Sequence, residues 1–221
     1  MRVAVLTLTR DRLAYTRHCF QTLRDNAGCD FDHLVLDNAS TDGTVDWLEG
    51  EYHPHILAQL GSNIGICRGL NVLLGSIDPA DYDVIVRFDN DCEVTRPGTL
   101  RAVCEVAHEY EAIVAPHVLR LLNPPIVIGQ AIAGRHVIDQ TAILGGIFMA
   151  IPATLFSQHG FRYDENMPPW TGDEAIVPWW RARGGVAGYL AGWTVNHYER
   201  VAEQHEELPE YQARKEQEMA A

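Results

Sequence analysis

Over the first 110 residues, short apolar runs alternate with helix-patterned segments, and this alternation constrains the chain most. Residues 2–8 read as a strand, 13–26 as a helix and 32–36 as a strand. A short helix over 41–49 opens on Ser, Thr and Asp, the residue types that cap a helix start. Residues 55–60 read as a strand, 66–76 as a helix and 83–88 as a strand. Residues 97–110 read as a helix with proline in its first turn. Strand–helix alternation with short connections predicts an α/β domain with a mainly parallel central sheet flanked by helices. Ligands of such sheets bind at the carboxyl ends of the strands. Asp37 follows one predicted strand and Asp89 another, so both fall at that edge.

After Ala115 the pattern changes. Residues 119–137 carry Pro-Pro and glycines and read as strands or loops, not as another strand–helix unit. Residues 142–151, "AILGGIFMAI", form an apolar strand candidate with a Gly-Gly kink. A helix is expected from Asp173 to about Arg183, and a last strand over 186–190. The acidic stretch 199–221 reads as a solvated C-terminal helix or tail. No repeat or low-complexity linker divides the 221 residues. The expectation is one domain in two halves, nucleotide-binding over 1–115 and acceptor-binding over 116–198.

Net charge is −13, which argues against nucleic acid as a partner, because that needs a cationic face. No apolar run reaches the roughly 20 residues of a membrane span. The first residues are strand-like and no signal-peptide cleavage pattern follows. The expectation is a cytoplasmic protein with at most peripheral membrane contact. The five cysteines form no CxxC pair and are expected to be reduced and mostly buried.

The segment "VIVRFDNDCEV" ends a buried strand in two carboxylates two residues apart. In extended chain, positions i and i+2 share a side. Asp89 and Asp91 would face one spot, where like charges repel unless a cation or a shared proton relieves them. The pair can hold a hard divalent metal, cap the next helix or form a solvated turn. "VLDNASTDGT" offers Asp37 and Asn38 at another strand end, in a stretch that also suits a turn and a helix cap. "LGSNIGICRGLN" leads a glycine-bearing loop into a helix, and a helix start favours an anion such as phosphate. Arg68 can meet that phosphate or form a surface ion pair. Mg²⁺ or Mn²⁺ typically takes one or two carboxylates plus phosphate oxygens, so these parts together suit a nucleoside diphosphate. Neither a G-x-G-x-x-G nor a Walker P-loop is present.

Taken in order, the segments resemble family 2 glycosyltransferases of the GT-A fold. "VAVLTLTRDRL" is similar to the family's opening strand and Thr-x-Asn-Arg turn. "HLVLDNASTDGT" is similar to its nucleobase-binding segment, "NIGICRGLN" to its Asn-x-Gly loop and "RFDNDCEV" to its Asp-x-Asp motif. "LGGIFMAIPATLFSQHGFRYDEN" is similar to its Gly-Gly segment. "WTGDEAIVPWWRARGG" is similar to its acidic catalytic segment, and "WTVNHYE" to the stretch bearing its late histidine. The matches cover nearly the whole chain.

The resemblance implies a metal-dependent inverting enzyme with Mn²⁺ or Mg²⁺ as cofactor. The donor would be a nucleoside-diphosphate sugar, most commonly of UDP, and the acceptor a glycan or other hydroxyl compound. Thr7 or Thr9 and Asp37 would touch the nucleobase, with Asn38 beside them. Arg68 and Asn71 would lie near the ribose or the diphosphate. Asp89 would sit between ribose and metal with Asn90 beside it on the donor, Asp91 would be the main metal ligand and His197 a further one. Asp173 would be the general base with Glu174 its rival. Gly145 and Gly146 would line the acceptor side.

The chain departs from the family pattern at Arg10-Asp11, where Asn is usual, and at Gly172-Asp173-Glu174-Ala175, where the acids are spaced differently. Trp170, Trp179, Trp180 and Trp193 offer faces for sugar stacking or for core packing. Two other readings use the same residues. One is an inactive GT-A-like module that binds a sugar or a partner protein. The other is a nucleotidyltransferase, which usually carries a basic Gly-rich loop after the first strand that "TLTRDRLAY" lacks.

Overall fold

The computed structural model describes residues 1–119, 125–198, 213, 216 and 217. The elements run β1 (Val3–Thr9), α1 (Leu13–Asn26), β2 (Asp32–Asp37), α2 (Thr44–Trp47), β3 (Ile56–Gln59), α3 (Ile66–Gly75) and β4 (Val84–Phe88). They continue with β5 (Cys92–Glu93), α4 (Thr99–Tyr110), β6 (Ile113–Leu119), β7 (Val127–Ala133) and β8 (His136–Thr141). The last are β9 (Phe148–Pro152), α5 (Thr154–Ser157), α6 (Ile176–Arg181) and β10 (Ala187–His197). One sheet joins the strands in the order β3-β2-β1-β4-β9-β6-β10-β8-β7, and β5 pairs with β10 off this path.

The first half matches the expected elements to within a few residues. β1 lies parallel between β2 and β4, and β3 lies parallel to β2. The second half is mixed. β9 runs antiparallel to both β4 and β6, while β6 and β10 are parallel. β7 and β8 form an antiparallel pair that closes the sheet at its far edge.

Strand alternation sorts the core onto two faces. Val5, Val35 and Val86 turn toward α1 and α4, where Phe20, Leu23, Val103 and Val106 cover them. Leu6, Leu34 and Ile85 turn the other way, under Leu70 and Leu73 of α3 and Trp180 of α6. Full burial of each large apolar side chain contributes about 1.5–3 kcal/mol. The pattern of two apolar faces is the reason the parallel strands read as continuous hydrophobic runs.

Four segments differ from the sequence expectation. The 142–151 strand begins only at Phe148, opposite Phe88, where its partner β4 ends. The 41–49 helix stops being α-helical at Trp47 and widens into a π-turn over Leu48–Tyr52. The last strand does not stop at Leu190. It continues to His197 through an irregularity in which the pairing with β6 shifts between Leu190 and Thr194, and Gly192 there has φ 80°. That glycine is a bulge position and not a strand end. The expected helix from Asp173 divides into a 3-10 turn, Asp173–Ala175, and α6. The C-terminal tail expected over 199–221 lies outside the described residues, apart from three helical positions. Of the cysteines, four are buried and Cys29 is half-buried, and none is disulfide-bonded.

Candidate active site

The site grows from the carboxyl ends of β1, β2 and β4. After β1, Asp11 and Arg12 both have positive φ, 52° and 62°. Consecutive left-handed non-glycine residues are uncommon, and each is strained by roughly 1–3 kcal/mol. The turn is held from outside. Asp11 Oδ1 accepts from the Thr41 amide at 2.7 Å, and the Asp11 amide donates to Ser40 Oγ at 2.7 Å. Asp42 Oδ2 accepts from the Leu13 amide at 2.7 Å, which caps α1 across the turn. The "STDG" stretch is therefore scaffolding that fixes the direction in which the chain leaves β1.

That direction sends Arg12 to the acidic pair. Its Nη1 meets Asp91 Oδ2 at 2.6 Å and its Nη2 meets Asn90 Oδ1 at 2.6 Å. Arg87 Nη1 meets Asp89 Oδ1 at 2.6 Å and also donates to the Gly146 carbonyl. Asn90 is anchored by donation to Thr16 Oγ1 at 2.8 Å. Each aspartate thus faces a guanidinium, which is how this state of the protein relieves the like-charge repulsion expected from the sequence.

His197 arrives from the opposite end of the chain. β10 pairs antiparallel with β5, setting His197 opposite Cys92 and Asn196 opposite Glu93. The Tyr198 amide closes this corner on the Asp91 carbonyl at 3.1 Å. His197 Nε2 then lies 3.3 Å from Asp91 Oδ1, with both residues buried. Asp89, Asp91 and His197 each offer one ligand atom, all within 4.8 Å of one another, the one such group among the described residues. Burial pushes the Asp91 carboxyl up, but the Arg12 guanidinium and His197 outweigh it and hold Asp91 well below the usual carboxylate range. It stays ionised, as a ligand must. Two carboxylates and an imidazole fit a divalent ion that keeps other positions for phosphate oxygens.

A cavity of about 260 Å³ opens over this group. Thr9, Arg10, Arg12, Asn38, Asn63, Gly65, Arg87, Gly146, Pro169 and Trp170 line it. Gly65 has φ 83°, and a Cβ there would lie 2.8 Å from Pro169 Cα, so only glycine lets these two segments meet. The Ile66 amide donates to the Pro169 carbonyl at 2.8 Å across the same junction.

The remaining candidates are placed as follows. Thr9 and Asn38 line the cavity with Asp89, Asn90, Asp91 and His197. Asp37 is buried behind them, accepting from Thr9 Oγ1 at 3.0 Å and from the Ser40 amide at 2.8 Å. Thr7 is deeper in the core, 2.9 Å from His33 Nε2, and does not line the cavity. Arg68 and Asn71 also stand outside it. Arg68 Nε donates to the Glu165 carbonyl at 3.1 Å and Asn71 Nδ2 to the Tyr163 carbonyl at 2.9 Å. Both pin the loop that carries Pro169 and Trp170. Glu174 Oε2 accepts from the Gly172 amide at 3.0 Å and lies off the cavity lining. Asp173 opens its 3-10 turn, and its side chain falls outside the described set. Gly146 lines the cavity and Gly145 does not.

Sequence reasoning missed Arg12 and Arg87. A signal existed for both. Arg87 sits at i−2 from Asp89, on the same side of an extended chain. Arg12 follows β1 at the same sheet edge. An acidic pair in a buried place demands counter-charge, and both arginines lie at this sheet edge.

Residues 4–125 match the family model described as glycosyl transferase family 2. No curated protein matches the chain. Among solved structures, S. aureus TarS 1-349 in complex with UDP-GlcNAc superposes with a TM-score of 0.67 at 15% identity, covering 90% of this chain and 59% of that one. The mannosyltransferase PcManGT from Pyrobaculum calidifontis, in complex with GDP-Man and Mn²⁺, gives 0.66 at 16% identity, covering 90% and 57%. GalNAc-T7 with UDP, GalNAc and Mn²⁺ gives 0.64 at 12%, covering 89% and 44%. The present chain therefore spans about 44–59% of the length of these three proteins. These likenesses are of fold, and the family match covers more than half of the sequence. The chain belongs to glycosyl transferase family 2.

Proposed function

We propose that the protein is a metal-dependent inverting glycosyltransferase that moves a sugar from a nucleoside-diphosphate donor, with UDP favoured, to a hydroxyl of a glycan acceptor. The observation that carries this reading is the convergence of Asp89, Asp91 and His197, from two distant parts of the chain, at the floor of one cavity. TarS and PcManGT, which share the fold, hold UDP-GlcNAc and GDP-Man in their structures.

Asp89, Asp91 and His197 would hold Mn²⁺ or Mg²⁺. When bound, that ion supplies Lewis-acid stabilisation of charge developing on the departing diphosphate, worth roughly several kcal/mol. Thr9 and Asn38 bound the part of the cavity suited to the nucleoside, with Asp37 fixing Thr9 from behind. Arg10, whose guanidinium lies 6.0 Å from the Trp170 ring centroid, sits on the wall suited to sugar or phosphate. The acceptor oxygen bonds to the anomeric carbon as the bond to the diphosphate breaks. Its proton passes to Asp173, or to Glu174 in its place, on the acceptor side.

The test is a thermal-shift panel of UDP, GDP, dTDP, CMP and ADP with Mn²⁺, Mg²⁺ or EDTA. A ligand that binds only the native state raises stability by mass action. A shift for one nucleoside diphosphate that EDTA abolishes supports the reading and names the base. No shift with any nucleotide, on folded protein, overturns it.

A further inference from the structure

The two arginines that face the acidic pair are held differently. Arg87 is a β4 residue, buried, and its Nη1 is shared between Asp89 and the Gly146 carbonyl. Its place is set by the sheet. Arg12 comes from the left-handed turn after β1, and its contacts at 2.6 Å are to Asp91 Oδ2 and Asn90 Oδ1, both within the acidic motif. The Arg12 and Asp91 side chains are only 12% and 9% exposed, so this ion pair is weakly screened. Asp91 is also the carboxylate that His197 approaches at 3.3 Å. Arg12 holds one oxygen of this carboxylate and His197 approaches the other, so Arg12 and a divalent ion would address the same carboxylate.

We infer that Arg12 is a resident counter-cation of Asp91 that suppresses divalent-metal binding until a nucleoside diphosphate arrives to accept its guanidinium. The inference rests on the donor-site reading above. With Arg12 in place, an added divalent ion meets a fixed positive charge beside its main ligand, in surroundings of low dielectric. A diphosphate changes the balance, because it adds negative charge and its oxygens match the guanidinium fork. Metal and nucleotide then bind with positive coupling, each raising the affinity for the other. Arg12 is a positioning residue for the ion and not a ligand.

The test reads metal affinity and not turnover. Mn²⁺ alone is titrated into the wild-type chain, Arg12→Met and Arg12→Lys, with free Mn²⁺ followed by electron paramagnetic resonance. Loss of the opposing charge should tighten Mn²⁺ binding by about tenfold or more in Arg12→Met. Arg12→Lys, which keeps charge but loses the two-point contact, should fall between. A merely structural arginine would give weaker binding on removal, so a gain is diagnostic. Adding Asp91→Asn to Arg12→Met should abolish the gain.

Folded Arg12→Met with wild-type or weaker Mn²⁺ affinity overturns the inference. If Arg12→Met does not fold, Arg12→Lys decides by the same criterion. The two readings separate cleanly. A nucleotide shift that needs metal, with no gain in Arg12→Met or Arg12→Lys, removes the counter-cation and keeps the donor site. A gain in Mn²⁺ affinity with no nucleotide shift in any variant supports the counter-cation and removes the donor reading.

Discussion

The two halves of the sheet are built on different terms. β1, β2 and β4 are parallel and buried on both faces, and the polar groups at their ends are held by named partners. Asp11, Asp37, Asp42, Asp89 and Asp91 each have a hydrogen bond or ion pair. At the other edge β7 and β8 are antiparallel, and β7 is largely exposed. Ile126, Val127, Ile128 and Ile132 are 79%, 49%, 54% and 74% exposed, and β7 is an edge strand. The difference teaches that one side of the molecule is set before any ligand arrives, while the other presents a surface. A preorganised donor side and a less constrained acceptor side, the division proposed above, would suit a transferase with one donor chemistry.

The comparison breaks most sharply at Asp91. Asp91→Asn should lower kcat/KM for sugar transfer by about 10³-fold or more, since it removes the principal proposed metal ligand. It should also abolish metal-dependent stabilisation by the nucleotide, because donor binding and turnover fail together. An acceptor-side acid should behave otherwise. Asp173→Asn should lower kcat by about 10²–10⁴ while the donor dissociation constant stays within about twofold. Retained turnover in Asp173→Asn with loss in Glu174→Gln would move the base to Glu174. If either variant weakened the donor as much as Asp91→Asn does, the division between the halves would fail.

Much of the first half was legible in the sequence for a simple reason. β1, β2 and β4 are buried on both faces and the longer helices are amphipathic, so each carries its own periodicity. The acid at the end of β4 also announced itself. Legibility ended where a residue's role depends on distant chain. Arg12 meets Asp91 only because the turn after β1 is strained left-handed and tied by Ser40 and Thr41. Thr7 resembles a nucleobase contact in the motif, yet it lies two residues short of the strand end and meets His33 inside the fold, while Thr9 on the same face reaches the cavity. Arg68 and Asn71 belong to the helix that follows the glycine loop, yet they tie down the 158–172 loop through Glu165 and Tyr163. The extent of β10 was missed because a glycine inside a strand reads as an end, while Gly192 is a bulge position that lets the strand reach His197.

Acid should find the stiff half first. His33 is sealed between Thr7 Oγ1 at 2.9 Å and the Tyr52 hydroxyl at 2.6 Å, with the Phe20 ring centroid 4.5 Å away. Burial, with a smaller push from Arg24, lowers its pKa from 6.5 to about 3. The unfolded chain then binds a proton that the folded chain refuses between those values. The stability is fully present above pH 6.5 and is lost as pH falls toward 3. The wild-type protein should lose a few kcal/mol, to an order of magnitude, over that window. His33→Gln retains a hydrogen-bonding side chain without this titration and should flatten the curve. Denaturant midpoints measured at pH 7 and pH 4.5 for both proteins check it, and parallel slopes would remove His33 as the cause.

The smallest effect should appear on the open half. Ile85 of β4 is 1% exposed and packs in the α3 face of the core, so Ile85→Ala should destabilise by about 2–5 kcal/mol. Ile132 of β7 is 74% exposed, so Ile132→Gln removes little packing and should change stability by no more than about 0.5 kcal/mol. Both are isoleucines in strands of the same sheet, and their burial is the main difference between them. Urea midpoints and slopes of the two variants make the measurement. A loss above about 1.5 kcal/mol in Ile132→Gln would mean that β7 is buried in the protein as it exists in solution. The contrast between a filled half and a surface half would then hold only for the isolated chain.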